Sequence, residues 1–205
     1  MLDRKGFDLW ADGYDASVRL SEESDAYPFA GYKRVLGYIF AKIMEAGSRR
    51  VLDVGFGTAV LAKRLYDVGI EICGVDFSAR MIEIAREKMP GATLLQHDFA
   101  RGMPDSLSGE RFDAVVCTYA IHHLNAAQKE RFILWARAHL LPGGCVLIGD
   151  VAFETADELA ACRQQAADAW DESEIYPVLE ELRGAFPDAR FKRCSHCAGV
   201  ITIGG

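Results

Sequence analysis

The residues with the clearest chemical potential form a glycine-rich loop. Asp53 lies in a short apolar run, and Gly55, Phe56, Gly57 and Thr58 follow that run directly. Glycines at a strand-to-helix turn allow a sharp bend and let a ligand approach the backbone N–H groups. Because the following helix directs its free N–H groups and positive dipole end at the loop, an anionic group is favoured there. The pattern therefore predicts a site for a nucleotide-type ligand.

An acidic residue ends the next apolar run. Asp76 closes the run over 71–75 and stands 21 positions after Gly55. In nucleotide-binding α/β folds an acid at this place accepts hydrogen bonds from the two ribose hydroxyls. We therefore expect Asp76 to bind a ribose. Phe77 and Met81 are candidates to pack on the adenine ring, with ordinary core packing as the alternative.

Two adjacent histidines follow a later apolar run, over 112–117. Ligands of open α/β sheets bind at the carboxyl ends of the strands, so we expect His122 and His123 at the mouth of the pocket. Either imidazole could take a proton from a bound molecule, because imidazole titrates near neutral pH. Local packing is the alternative. No metal site is predicted, since adjacent side chains point in different directions and no third ligand is apparent.

Composition and charge narrow the classes of function. The 205 residues carry a formal net charge of −7, which disfavours nucleic acid as a partner, because phosphates require a basic patch. No run of eighteen apolar residues and no apolar signal core are present, so we expect a cytoplasmic protein without a membrane partner. The six cysteines are then expected to be reduced. Cys194 and Cys197 have the CxxC spacing of a metal or redox site, but no second ligand pair follows.

Hydrophobic periodicity predicts the elements that position these residues. Predicted helices cover 32–44, 60–68, 79–88, 127–140, 155–170 and 177–186. Predicted strands cover 51–54, 71–75, 92–96, 112–117, 145–149, 189–194 and 198–203. The alternation of strands and helices indicates an α/β fold in which helices cover both faces of a mostly parallel sheet.

Four motifs resemble those of the class I S-adenosylmethionine-dependent methyltransferases, small-molecule branch. The loop from Asp53 follows the Asp-x-Gly-x-Gly-x-Gly pattern, with Ala59 at the last glycine position. Asp98-Phe99, a His-His-Leu signature and Leu-x-Pro-Gly-Gly over 140–144 follow in the family's order. The resemblance covers residues 48–151. It implies a Rossmann-like, doubly wound, seven-stranded sheet of order 3-2-1-4-5-7-6, with the last two strands in an antiparallel hairpin.

The resemblance also implies the cofactor, S-adenosylmethionine, and the product S-adenosylhomocysteine. The glycine loop is expected to hold the methionine end of the cofactor, with Asp53 near its amino group. Asp98 is expected to contact the adenine amino group, and Phe99 to offer a backbone N–H to the ring.

The acceptor side follows from the same resemblance. Thr118 and Tyr119 are expected beside the cofactor, and Tyr119 and His122 are expected to shape the acceptor site. His122, His123 and Tyr14 are the predicted catalytic residues. Tyr14 belongs to a Trp-Ala-x-x-Tyr-Asp segment that resembles the family's N-terminal lid.

We therefore expect one methyltransferase domain that acts on a small molecule as a monomer or homodimer. Residues 1–46 would form the lid and first helices, 48–151 the cofactor-binding core, and 152–205 the last helices and the hairpin. A carboxylate, hydroxyl, amine, thiol or arsenic acceptor is compatible with the sequence.

Two other classes of function remain open at this point. A nicotinamide-dependent oxidoreductase would use a Gly-x-Gly-x-x-Gly loop, but Val60 stands where its third glycine belongs. A non-catalytic or regulatory protein that binds S-adenosylmethionine would need the cofactor half alone, and a fold does not by itself prove a function.

Overall fold

The computed structural model describes residues 26–204, so the predicted site residue Tyr14 lies outside the described range. The α-helices are α1 (Tyr32–Glu45), α2 (Val60–Asp67), α3 (Ala79–Lys88), α4 (Ala126–Ala138), α5 (Ala156–Ala166) and α6 (Leu179–Leu182). The strands are β1 (Arg50–Val54), β2 (Glu71–Asp76), β3 (Thr93–Gln96), β4 (Phe112–Thr118), β5 (Leu140–Val151), β6 (Arg190–Arg193) and β7 (Ala198–Gly204). Single 3₁₀ turns cover Phe99–Arg101, Asp105–Leu107, Ile121–His123 and Ala167–Ala169.

The seven strands form one sheet in the predicted order β3-β2-β1-β4-β5-β7-β6. The pairs among β1 to β5 are parallel, whereas β7 runs antiparallel to β5 and β6. In the register of the sheet, Val54 lies opposite Val75 on one side and Cys117 on the other. The carboxyl ends of β1, β2 and β4 therefore meet at one edge, where the glycine loop, Asp76 and the histidine segment follow.

Both faces of the sheet are covered, which explains why the strand sequences are continuously apolar. In β1, Val51 packs with residues of α1, α2 and α3, whereas Leu52 and Val54 pack with α4 and α6 on the opposite face. Successive side chains of a strand alternate between faces, so Asp53 shares the face of Val51. The predicted α/β architecture is confirmed. Within residues 26–204, no helix is long and apolar enough to cross a membrane.

The fifth strand starts earlier than predicted. The predicted turn over 141–144 lies inside β5, and the register between β4 and β5 shifts between Phe112 and Ala114 to accommodate it. The Leu-x-Pro-Gly-Gly sequence, which is typical of a turn, therefore forms an irregular part of the strand in this protein.

The last two helices are shorter than predicted. The helix predicted over 155–170 ends at Ala166, because Ala167 adopts a φ of 47° that a right-handed helix does not tolerate. The helix predicted over 177–186 begins only at Leu179, because Val178 is extended and forms a β-bridge with Phe153.

Candidate active site

A cleft of about 700 Å³, counting its open mouth, lies at the carboxyl ends of β1, β2 and β4. The predicted residues that line it are Gly55, Phe56, Gly57, Thr58, Asp76, Phe77, Met81, Phe99, Thr118, Tyr119 and His123. Sequence reasoning missed Tyr32, Leu36, Val60, Leu61, Ser78 and Ala120, which also line it. The predicted residues Asp53, Asp98 and His122 do not contribute to the lining.

The glycine loop takes a conformation that favours glycine at two positions. Gly55 has a φ of 70° and Gly57 a φ of 54°, both in the left-handed region. A Cβ on Gly55 would come within 2.5 Å of the Ala120 Cβ, whereas a Cβ on Gly57 would meet nothing within 4 Å. Gly55 thus lets the loop pack against the segment after β4, and Gly57 leaves its side of the loop open.

Asp76 joins the end of β2 to the glycine loop. Its side chain is 4% exposed, and its two oxygens accept hydrogen bonds from the N–H groups of Gly57 and Ser78, each at 2.9 Å. A carboxylate offers about four acceptor positions, so these two bonds are compatible with acceptance from a pair of ligand hydroxyls. The arrangement fits a ribose, as the sequence predicts.

Asp53 lies behind the loop and not in the cleft. It is 1% exposed, and within residues 26–204 no group donates a hydrogen bond to its Oδ1. Burial, together with the negative charge of Asp76, raises its pKa from 3.8 to about 7. A buried carboxyl that lacks a donor for one oxygen is an electrostatic cost that a bound cationic group would relieve.

One wall of the cleft is aromatic. The ring of Tyr119 lies 5.0 Å from that of Tyr32 and 5.5 Å from that of Phe29. Tyr119 also has a φ of 48°, a left-handed conformation that is unusual for a bulky residue and typical of functional segments. The segment after β4 therefore projects an aromatic ring into the cleft at the cost of backbone strain.

The two histidines occupy different environments. His122 is buried and donates from Nδ1 to Asp150 Oδ1 at 2.8 Å, and its Nε2 lies 3.5 Å from Glu174 Oε1. Burial alone would lower the pKa of His122, but the charge and hydrogen bond of Asp150, with the charge of Glu174, outweigh it and raise that pKa. His123 faces the cleft, and burial next to His122 lowers its pKa to about 4.

Of the two residues predicted to contact adenine, Phe99 and Asp98, one lines the cleft and the other does not. Phe99 lines the cleft. The Oδ1 atom of Asp98 accepts the N–H of Ala100, and its Oδ2 atom lies 3.1 Å from Arg101. The half-exposed Asp98 carboxylate therefore caps the 3₁₀ turn that positions Phe99.

The two cysteines of the CxxC spacing, for which no metal site is predicted, have different neighbours. Cys194 donates weakly to the Lys192 carbonyl. The Cys197 thiol lies instead with those of Cys162 and the ring of His196, with their ligand atoms within 4.8 Å of one another. The six cysteines, all within residues 26–204, form no disulfide bond.

The sheet order, the glycine loop and the strand-end acid define a methyltransferase, and comparison with known proteins agrees. A methyltransferase-domain family model matches residues 51–144. A methyltransferase of Oceanobacillus iheyensis is 33% identical over 192 residues, which is 90% of this chain and 87% of that protein. A methyltransferase of Geobacillus kaustophilus is 32% identical over 188 residues, or 88% and 84% of the two chains. The chain belongs to the class I S-adenosylmethionine-dependent methyltransferases, which confirms the predicted class, and the small-molecule branch stays a prediction.

Solved structures share the fold. The DhpI–SAM–HEP complex superposes with a TM-score of 0.68 at 20% identity, covering 97% of this chain and 94% of that one. Magnesium protoporphyrin IX methyltransferase of Synechocystis PCC 6803 with bound SAH gives 0.71 at 15% identity, with 98% and 99% covered. At these identities the likeness establishes the architecture alone.

Proposed function

We propose that this protein transfers a methyl group from S-adenosylmethionine to a small-molecule acceptor. The observation that carries the proposal is the cleft in which Asp76 and the glycine loop face Tyr119 and His123. The lining combines groups that a nucleoside requires with polar and aromatic groups that suit a second molecule. The formal net charge of −7 argues against a nucleic-acid acceptor.

The proposed cofactor site runs along the glycine loop. Asp76 would accept hydrogen bonds from the ribose hydroxyls, and the apolar side chains of Phe77, Met81 and Phe99 would enclose the adenine. The methionine end would lie over Gly57, where a Cβ-free backbone leaves space. Its ammonium group would approach Asp53 from the side of the loop, and its positive charge would stabilise the buried carboxylate.

The proposed chemistry depends mainly on alignment. The sulfonium supplies a good leaving group, so the protein must hold acceptor atom, methyl carbon and sulfur in line, and positioning of this kind removes much of a barrier. The acceptor atom forms a bond to the methyl carbon while the carbon–sulfur bond breaks, and S-adenosylhomocysteine leaves. We place Tyr119 and His123 on the acceptor side, because both line the cleft.

The proposal is tested by incubating the protein with S-adenosylmethionine and a panel of small carboxylates, phenols, amines and thiols, and measuring S-adenosylhomocysteine and methylated product by mass spectrometry. Turnover of one class supports small-molecule methyl transfer. Tight cofactor binding without turnover of any class would favour the non-catalytic alternative instead.

A further inference from the structure

Three metal-binding side chains converge beside the proposed acceptor site. His122, His123 and Glu174 each present a ligand atom, and these atoms lie within 4.8 Å of one another. His122 Nε2 is 3.5 Å from Glu174 Oε1, a separation that two ligands of one ion can have when each lies roughly 2.0–2.2 Å from it. The two imidazole rings are 4.2 Å apart at their centroids.

The surrounding residues orient two of these ligands. Asp150, fully buried, accepts a hydrogen bond from His122 Nδ1 at 2.8 Å, which leaves Nε2 facing Glu174. The Tyr176 hydroxyl donates to Glu174 Oε2, which leaves Oε1 facing His122. Metal-binding histidines and carboxylates characteristically have such partners, which fix the tautomer and the direction of the ligand atom.

The backbone also holds the two contributing segments together. The N–H of Ile175, next to Glu174, donates to the His122 carbonyl at 2.9 Å. Glu174 is thus tied to the histidine segment by main-chain and side-chain contacts, although it lies far along the sequence. Glu174 is thus a third candidate ligand, which the sequence pattern did not reveal.

We propose that His122 Nε2, a ring nitrogen of His123 and Glu174 Oε1 bind a divalent transition-metal ion, zinc being the ion that this donor set suits best. Two imidazoles and one carboxylate form the ligand set of catalytic zinc sites, in which a further position remains open. His123 also lines the cleft, so the site borders the proposed acceptor side.

The role of the ion rests on the proposed function. An acceptor with an oxygen or nitrogen atom would complete the coordination, and the ion would lower the pKa of that atom. The acceptor proton would leave to solvent, the freed electron pair would form the bond to the methyl carbon, and the carbon–sulfur electron pair would remain on S-adenosylhomocysteine.

A second cluster requires a control. The ligand atoms of Cys162, His196 and Cys197 also lie within 4.8 Å of one another, and thiolates bind zinc well. Cobalt distinguishes the two sites, because a thiolate-bound cobalt ion has an intense near-ultraviolet charge-transfer band that a site of nitrogen and oxygen ligands lacks. His196→Asn is the matched control for His123→Asn.

The test is titration of EDTA-treated, reduced protein with Co²⁺ and Zn²⁺, followed by visible spectroscopy and equilibrium dialysis. We expect one ion without a thiolate band, with a zinc Kd on the order of 1 μM or tighter. His123→Asn and Glu174→Gln should weaken binding about tenfold to a hundredfold or more, Asp150→Asn about tenfold to a hundredfold, and His196→Asn not at all.

Either of two results would overturn the proposal. In the first, the protein binds no metal ion, or only an ion with thiolate ligands. In the second, the affinity for the ion is the same in Glu174→Gln as in the wild type. Thermal unfolding of each variant without metal verifies that it folds, and zinc should raise the Tm of the wild type more than that of Glu174→Gln. Calorimetric titration with S-adenosylmethionine separates this proposal from the proposed function. Zinc binding without cofactor binding would support the metal site and contradict the proposed function. Cofactor binding without zinc binding would support the proposed function and contradict the metal site.

Discussion

Replacing Asp53 by asparagine should change how stability depends on pH. Asp53 is buried, and burial together with the charge of Asp76 raises its pKa from 3.8 to about 7. Because the folded-state pKa lies above the unfolded value, the folded protein binds more protons between these two pH values. The wild type is therefore stabilised at low pH by the protonated carboxyl, and this stabilisation is lost as pH rises towards 7.

The magnitude follows from the pKa shift. One pKa unit corresponds to about 1.36 kcal/mol, so the ionisation penalty grows by at most about 3 kcal/mol between pH 5 and pH 8, where it levels off. Asparagine cannot ionise. The difference in unfolding free energy between Asp53→Asn and the wild type should therefore move in favour of the variant by up to that amount over this range.

Urea unfolding at pH 5, 6, 7 and 8 measures this difference. Any cost of burying the amide is independent of pH and cancels when the pH values are compared. Asp105→Asn, at an exposed position, serves as the control. A difference between Asp53→Asn and the wild type that is constant from pH 5 to pH 8 would refute the reasoning.

Three further outcomes follow from the structure. Asp76→Ala should weaken S-adenosylmethionine binding about tenfold to a hundredfold, since it removes charge-assisted hydrogen bonds, while calorimetry should show normal affinity in Asp105→Ala. Gly55→Ala should lower the unfolding free energy by roughly 2–4 kcal/mol, from left-handed strain and the clash with Ala120, and equal stability of Gly55→Ala and Gly57→Ala in urea would contradict this. Asn125→Ala should cost about 1 kcal/mol, because Asn125 caps α4, which urea unfolding would detect; no loss would mean that the cap is not needed.

The features that sequence alone predicted are local ones. The glycine loop, Asp76 and the strands before them lie close together in the chain, and hydrophobic periodicity reports directly on such segments. The strand order was predicted from the resemblance to a family, because the pairing of strands that are distant in the chain cannot be read from hydrophobic periodicity in a single sequence.

The features that sequence missed depend on distant segments or on single backbone angles. Tyr32 lines the cleft only because α1 packs on a face of the sheet. Glu174 contacts His122 although the two residues are 52 positions apart, and the segment that contains Glu174 has no recognisable motif. Ala167 ends α5 because it has a positive φ, which an alanine-rich helical pattern does not predict.

Asp53 and Asp98 illustrate a different limit. The family pattern identifies both residues, but their exposure depends on packing that the pattern does not contain. Asp53 lies beneath the loop with almost no exposed surface, and Asp98 caps the turn at Phe99. Their proposed contacts with the cofactor therefore remain predictions.

Isothermal titration with S-adenosylmethionine and S-adenosylhomocysteine tests the central claim most directly. The cleft built from the glycine loop and Asp76 predicts binding of both at one site per chain, with a Kd on the order of micromolar, and much weaker binding in Asp76→Ala. Absence of heat from either ligand, with a folded wild-type protein in the cell, would contradict the proposed cofactor site.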